Sequence, residues 1–108
     1  MGKFNFNHKL LIAQSLSASF VSNSEFVDCN PLFSVQLHIT GTPVGIFSLQ
    51  VSNDLLNWIT LENSGQAIIS ANDIMYNVKN SGWLAVRVAY AATSGDGTVD
   101  ATVYGKDI

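Results

Sequence analysis

Two histidines, one cysteine and eight carboxylates are the side chains in this sequence with acid, base, nucleophilic or metal-binding chemistry. His8 lies near the start and His38 within an alternating run, and neither has a partner at metal-ligand spacing. A zinc site takes about four such ligands. Cys29 sits in Val27-Asp28-Cys29-Asn30-Pro31, a turn-like stretch without the small flanking residues of nucleophile motifs. It reads as a buried small hydrophobe or an idle thiol, and as the sole cysteine it closes no disulfide within the chain. Glu25, Asp28, Asp54, Glu62, Asp73, Asp96, Asp100 and Asp107 are spread singly, at no spacing that names the pair a glycosidase sets across one bond. Ser94-Gly95-Asp96-Gly97 lacks the alternating oxygen ligands of a calcium loop. Gly41 to Gly45 lacks the lysine and following helix of a phosphate loop. The expectation is a chain with no catalytic residue, no metal and no cofactor.

Aromatic side chains are the other candidates, because they stack on sugars or anchor protein interfaces. Trp58 and Trp83 begin strand-like runs and are expected to plug the ends of a core. Tyr104 stands on the threonine-bearing face of the last run and is the aromatic expected at the surface.

The elements that position these residues follow from periodicity. In Phe33-Ser34-Val35-Gln36-Leu37-His38-Ile39-Thr40 the apolar side chains occupy every second position, the signature of a strand with one face in a core. The same alternation runs through Leu16 to Phe20, Ile46 to Ser52 (Phe47, Leu49 and Val51 inward), Ile74 to Val78, Trp83 to Tyr90, and Val99 to Val103. Gly41-Thr42-Pro43-Val44-Gly45 joins two of these runs as a hairpin, and Ser94 to Gly97 reads as a second glycine-rich hairpin loop. Ser70-Ala71-Asn72-Asp73 resembles a helix start, yet the residues after it alternate as a strand does. Short strands at these intervals, with no convincing helix, give an all-β fold class: a single antiparallel β-sandwich or jelly-roll-like domain. Residues 16–108 form that domain, and residues 1–15 an N-terminal arm or edge segment whose Phe4, Phe6, Leu10, Leu11 and Ile12 are candidates, with Tyr104, for contact with a neighbour.

A length of 108 residues suits one core. Hydrophobic residues make up 47% and charged residues 12%, against about 25% charged in an ordinary domain. So thin a charge suits a surface covered by other subunits. A net charge of -3 with five scattered basic residues argues against a nucleic-acid partner. The apolar run Leu10 to Ala13 is too short for a signal peptide. No stretch approaches the roughly 20 apolar residues of a membrane helix.

The stretch Gly41-Thr42-Pro43-Val44-Gly45-Ile46-Phe47-Ser48-Leu49-Gln50-Val51-Ser52-Asn53-Asp54, followed by Asn57-Trp58, resembles small structural proteins of tailed bacteriophages. Trp83 to Tyr90, the Ser94 to Gly97 turn and Tyr104-Gly105-Lys106 continue the likeness, which covers Phe33 to Lys106. Residues Met1 to Asn30 show no such pattern, and Leu55-Leu56 stands where a glycine-containing turn is common in those proteins. The resemblance implies a virion component, such as a capsid decoration, head-fibre or tail accessory protein. Such a protein is made in the host bacterial cytoplasm and meets copies of itself and other virion proteins. A carbohydrate-binding β-sandwich module is the alternative, with Trp58, Trp83 or Tyr104 meeting a surface glycan.

Overall fold

The computed structural model describes residues 6–27, 32–79 and 82–106. Ten strands, numbered in chain order, account for most of them: β1 (Phe6–Ser15), β2 (Phe20–Val21), β3 (Glu25–Phe26), β4 (Leu32–Gly41), β5 (Val44–Ser52), β6 (Ile59–Thr60), β7 (Gln66–Ile68), β8 (Asn72–Lys79), β9 (Ala85–Ser94) and β10 (Gly97–Lys106). They form two antiparallel sheets. The first has the order β1-β10-β4-β8; the second has β2 and β3 on one side of β9, then β5, then β6 and β7. Because β2 and β3 pair the same strand, and β6 and β7 likewise, each pair acts as one interrupted strand. The result is eight strands in two four-membered layers, with a chain that crosses between layers at nearly every connection. This is a jelly roll, a β-sandwich as the alternation requires.

Phe33, Val35, Leu37 and Ile39 of β4 face Phe47, Leu49 and Val51 of β5 and Val86, Val88 and Tyr90 of β9 across the sandwich, all buried. Val99, Ala101 and Val103 of β10 complete the layer, each fully buried. Asn72 to Lys79 is a strand, with Ile74 and Tyr76 inward.

The pairing departs from the sequence reading in two places with one cause. Gly41 to Gly45 and Ser94 to Gly97 are not hairpins. The strands flanking each lie in different sheets, so both connections cross between layers. They cross side by side: Gly41 pairs with Gly97 at the end of the β4/β10 ladder, and the Thr42 amide donates to the Asp96 carbonyl at 3.0 Å. Gly41 takes a φ of 88°, and a Cβ on it would lie 2.7 Å from the Asp96 carbonyl oxygen. Glycine is needed there for the meeting of two crossovers, not for a two-residue turn. Leu16 to Phe20 is a third crossover at the same end and not a continuous strand. The Leu16 amide donates to the Gly97 carbonyl at 3.0 Å, and Ser15, Ser17 and Ser19 hydroxyls bond to one another or to nearby backbone.

The two sheets also touch along their open sides. On one side the His8 Nδ1 of β1 meets the Glu25 carboxylate of β3 at 2.9 Å. On the other the Tyr76 hydroxyl of β8 donates to the Ser64 carbonyl at 2.7 Å.

Two of the buried polar side chains, Ser22 and Ser64, show how the interrupted strands are tolerated. A buried backbone N–H left without an acceptor is costly. Between β2 and β3 the Ser22 hydroxyl accepts from the Val88 amide at 2.8 Å; between β6 and β7 the Ser64 hydroxyl accepts from the Leu49 amide at 3.1 Å. Each serine restores, by side chain, the ladder bond that the break removes from a central strand.

Candidate functional site

The outer faces of the two sheets differ in chemistry. Among the described side chains, the strands of the four-stranded sheet carry Lys9, Asp73, Lys79 and Asp100 with two histidines, whereas those of the other sheet carry only Glu25 and Arg87. Glu25 turns to His8 at the edge. Arg87 points outward from β9, but its Nε donates to the Gln50 Oε1 at 2.7 Å and its guanidinium lies 4.3 Å from the centre of the Trp58 ring. Among the described residues the one cation of this face is thus held by an amide and an indole, in a cation–π contact. The rest is apolar and small. In register across the sheet stand Val21, Ala89 and Ser48 in one row and Ala91, Ile46 and Ala67 in the next. Val21 and Ile46 are about half exposed, and Phe26 at the end of the same sheet is 56% exposed. Trp58 therefore lies on this outer face and does not plug the core; Trp83 does pack against the core, partly buried.

The dimensions of the face follow from strand geometry. Ten residues of β9 at about 3.3 Å each, and four strands about 4.8 Å apart, make an area of about 600 Å². Two such faces in contact bury about 1,200 Å², the lower bound of stable interfaces.

The candidates named from sequence do not converge. Phe4 and Cys29 lie outside the described residues. Phe6 opens β1 opposite Gly105. Leu10 and Leu11 are a correction: both are buried in their own core and offer no surface to a neighbour. Consecutive strand residues normally face opposite ways, but the register of β1 on β10 shifts on either side of Leu11, and Ala13 adopts a φ of 47° with its amide on the Asp100 carboxylate at 2.8 Å. This bulge turns both leucines inward. Ile12 is exposed at 72% and Tyr104 at 41%, on the four-stranded sheet.

His38 stands in register between Asp100 and Asp73, with its Nδ1 2.6 Å from Asp73. Both partners are more than half exposed, on a hydrated sheet face and in no cleft. A pair in that setting contributes little to stability. Among the described residues no three of His, Cys, Asp and Glu come together as a metal-binding group.

Two concavities formed by the described residues bear on function. One, of about 570 Å³, opens by the turn from β5 to β6 and is lined by Ser52, Asn53, Asp54, Asn57 and Trp83 among others. The polar groups of the Ser52 to Asn57 turn are already engaged. The Asp54 carboxylate accepts from the Leu56 and Asn57 amides at 2.9 and 2.8 Å, from the Asn57 side chain at 2.8 Å and from the Ser52 hydroxyl at 3.0 Å. The Asn57 backbone N–H and side-chain amide, then Leu56 and Ser52, hold the Asp54 carboxyl well below the usual carboxylate range. The Ser-x-Asp…Asn portion of the resemblance is therefore a self-satisfied turn. The other concavity, of about 400 Å³, lies beside Tyr104 and is lined by Leu32, Phe33, Ser34, Asn77, Val78 and Lys79.

Sequence reasoning missed the apolar outer face, although β9 carries its signal. There the residues opposite Val86, Val88 and Tyr90 in the alternation are Ala85, Ala89 and Ala91 around Arg87, so the strand is apolar on both sides, as strands covered on both sides are. In β10 the outward residues are Thr98, Asp100, Thr102 and Tyr104, a wet face.

No family model and no curated protein matches the sequence. Among solved structures the chain is similar to the SPBc2 prophage-derived protein YomS, with a TM-score of 0.69 and 12% identity over 97% of this chain and 96% of that one. It is similar to a protein of Bacillus endospore appendages, described as disulfide-linked pili, with a TM-score of 0.57 and 11% identity over 100% of this chain and 93% of that one. A chain of infectious bursal disease virus strain Gx matches with a TM-score of 0.61 and 7% identity, over 97% of this chain but 32% of that one. At such identities the likeness is one of fold, and it places the chain among small β-sandwich proteins, a prophage-derived one among them.

Proposed function

We propose that this chain is a non-enzymatic structural protein of a bacteriophage virion, a capsid decoration, head-fibre or tail accessory protein. It acts through protein–protein contacts and self-associates through the outer face of the sheet built on β9 and β5. The observation that carries the reading is the chemistry of that face: alanines, Val21, Ile46 and Phe26 in the open, with Arg87, the single cation there among the described residues, held in place by Gln50 and Trp58. An exposed apolar sheet face of this size marks an interaction surface. A second copy is the occupant because the face is apolar apart from one cation, Arg87, which is tied back to Gln50 and Trp58, and because two such faces together reach the area a stable pair buries. The fold likeness to a prophage-derived protein supports the virion setting. In this reading the protein is made in the host bacterial cytoplasm and ends in the particle.

The test is the protein content of purified particles. Virions from cells expressing the chain should contain it in many copies by quantitative mass spectrometry. Its absence from particles, with the protein folded and abundant in the same lysate, contradicts the proposal.

A further inference from the structure

The groove beside Tyr104 differs from the clusters around His38, Thr40, Arg87 and Asp54 in one respect: its polar groups are unspent. His38 is bonded to Asp73, Thr40 to Thr98, Arg87 to Gln50, and Asp54 to its own turn. Among the described residues the side chains of Ser34, Asn77, Lys79 and Tyr104 hold no hydrogen bond, yet they line one groove of about 400 Å³. That volume falls within the range of small-ligand sites. The strand register brings them together. Tyr104 of β10 is opposite Ser34 of β4, which is opposite Asn77 of β8, so phenol, hydroxyl and amide form one row across the outer face of the four-stranded sheet. Lys79 lies two residues further along β8 on the same side, opposite Leu32.

We infer that this groove binds a pyranose sugar, with one face of the ring stacked on Tyr104 and its hydroxyls bonded to Ser34, Asn77 and Lys79. The phenol ring is electron-rich on its face and apolar, which suits the C–H face of a pyranose. Vicinal sugar hydroxyls both donate and accept, and so do a serine hydroxyl and an asparagine amide. Among the described residues Lys79 is the only charged side chain in the lining, and none of them sets a carboxylate against it, so a sugar acid is preferred over a neutral sugar. A nucleic acid is disfavoured because its phosphates require several cations. The groove opens on the face of the four-stranded sheet and the proposed assembly surface lies on the other sheet, so sugar binding and self-association succeed or fail independently.

The experiment is an amide-resolved NMR titration of the full chain with methyl glucopyranoside and, separately, with glucuronic acid. Saturable shifts are expected at Ser34, Asn77, Lys79 and Tyr104, with glucuronic acid binding about threefold tighter, as an exposed charge contact allows. Tyr104→Ala should weaken both sugars about tenfold, the upper range of an aromatic contact. Tyr104→Phe, which keeps the ring, should bind within about twofold of the parent. Tyr104 is exposed, and the spectrum itself reports whether each variant is folded. No saturable shift with either sugar, shifts that map to another face, or undiminished binding by Tyr104→Ala would overturn the inference. A preference for the acid that survives Lys79→Gln would overturn the role given to Lys79.

Discussion

Replacing Ser64 by alanine isolates the device that lets an interrupted strand sit beside a central one. The Ser64 hydroxyl accepts from the Leu49 amide at 3.1 Å and donates to the Leu61 carbonyl at 2.6 Å. The carbonyl keeps a second donor in the Ser64 amide at 3.2 Å, so the variant orphans one buried group, the Leu49 N–H. A buried donor without a partner costs about 1–3 kcal/mol, and the alanine fits the space without strain. Unfolding entropy of about 2.1 cal/mol/K per residue gives about 0.23 kcal/mol/K for 108 residues. A loss of about 2 kcal/mol therefore lowers the thermal midpoint by about 9 °C. Calorimetry measures the shift, and hydrogen exchange at the Leu49 amide locates it. Ser48→Ala, one residue away on the outer face, should change stability by no more than about 0.5 kcal/mol. The reasoning is refuted if Ser64→Ala melts with Ser48→Ala and leaves Leu49 protection unchanged.

Tyr90 is buried between Phe20 and Phe47, at ring separations of 5.6 and 4.5 Å, and its hydroxyl has no hydrogen-bond partner; Tyr90→Phe should therefore stabilise the fold by about 1 kcal/mol in a denaturant melt. Burial pushes the Tyr76 hydroxyl up from 10.0 to about 12. The unfolded chain then loses that proton first, so stability is complete below pH 10 and falls as pH rises from 10 to 12, a slope that Tyr76→Phe should reduce in alkaline melts. Asp54 shifts the other way: its depressed carboxyl contributes stability above the ordinary carboxylate range that is lost as pH falls below it, and Asp54→Ala should flatten the acid limb of a stability–pH curve.

What the sequence shows plainly is which side of each strand faces inward. Phe33, Val35, Leu37, Ile39, Phe47, Leu49 and Val51 are buried as their alternation requires, because a period of two fixes the face whatever the partner strand is. The partner strand is not local information. Gly41 and Gly97 have the composition of hairpin turns, and only the contact between them, made by residues 56 positions apart in Gly41↔Gly97, reveals a crossover. The inward turn of both Leu10 and Leu11 rests on a left-handed backbone at Ala13, a residue type that gives no hint of it. Ser22 and Ser64 give no sign of their role, since a serine bonded to distant backbone looks no different in sequence from one bonded to water. The exposure of Tyr104 was legible from the threonines around it. The apolar outer face was legible too, in the alanines of β9, but an alternating pattern draws attention to its large residues first.

The most direct test of the account is the mass of the purified protein by light scattering over a concentration series, alongside Ile46→Glu, which sets an unpaired charge in the middle of the apolar face. The account predicts that the parent chain forms a discrete oligomer at high concentration and that Ile46→Glu, still folded by its thermal melt, remains a monomer. A parent chain that stays monomeric throughout, or a folded Ile46→Glu protein that assembles as the parent does, would contradict the claim that this face is where copies meet.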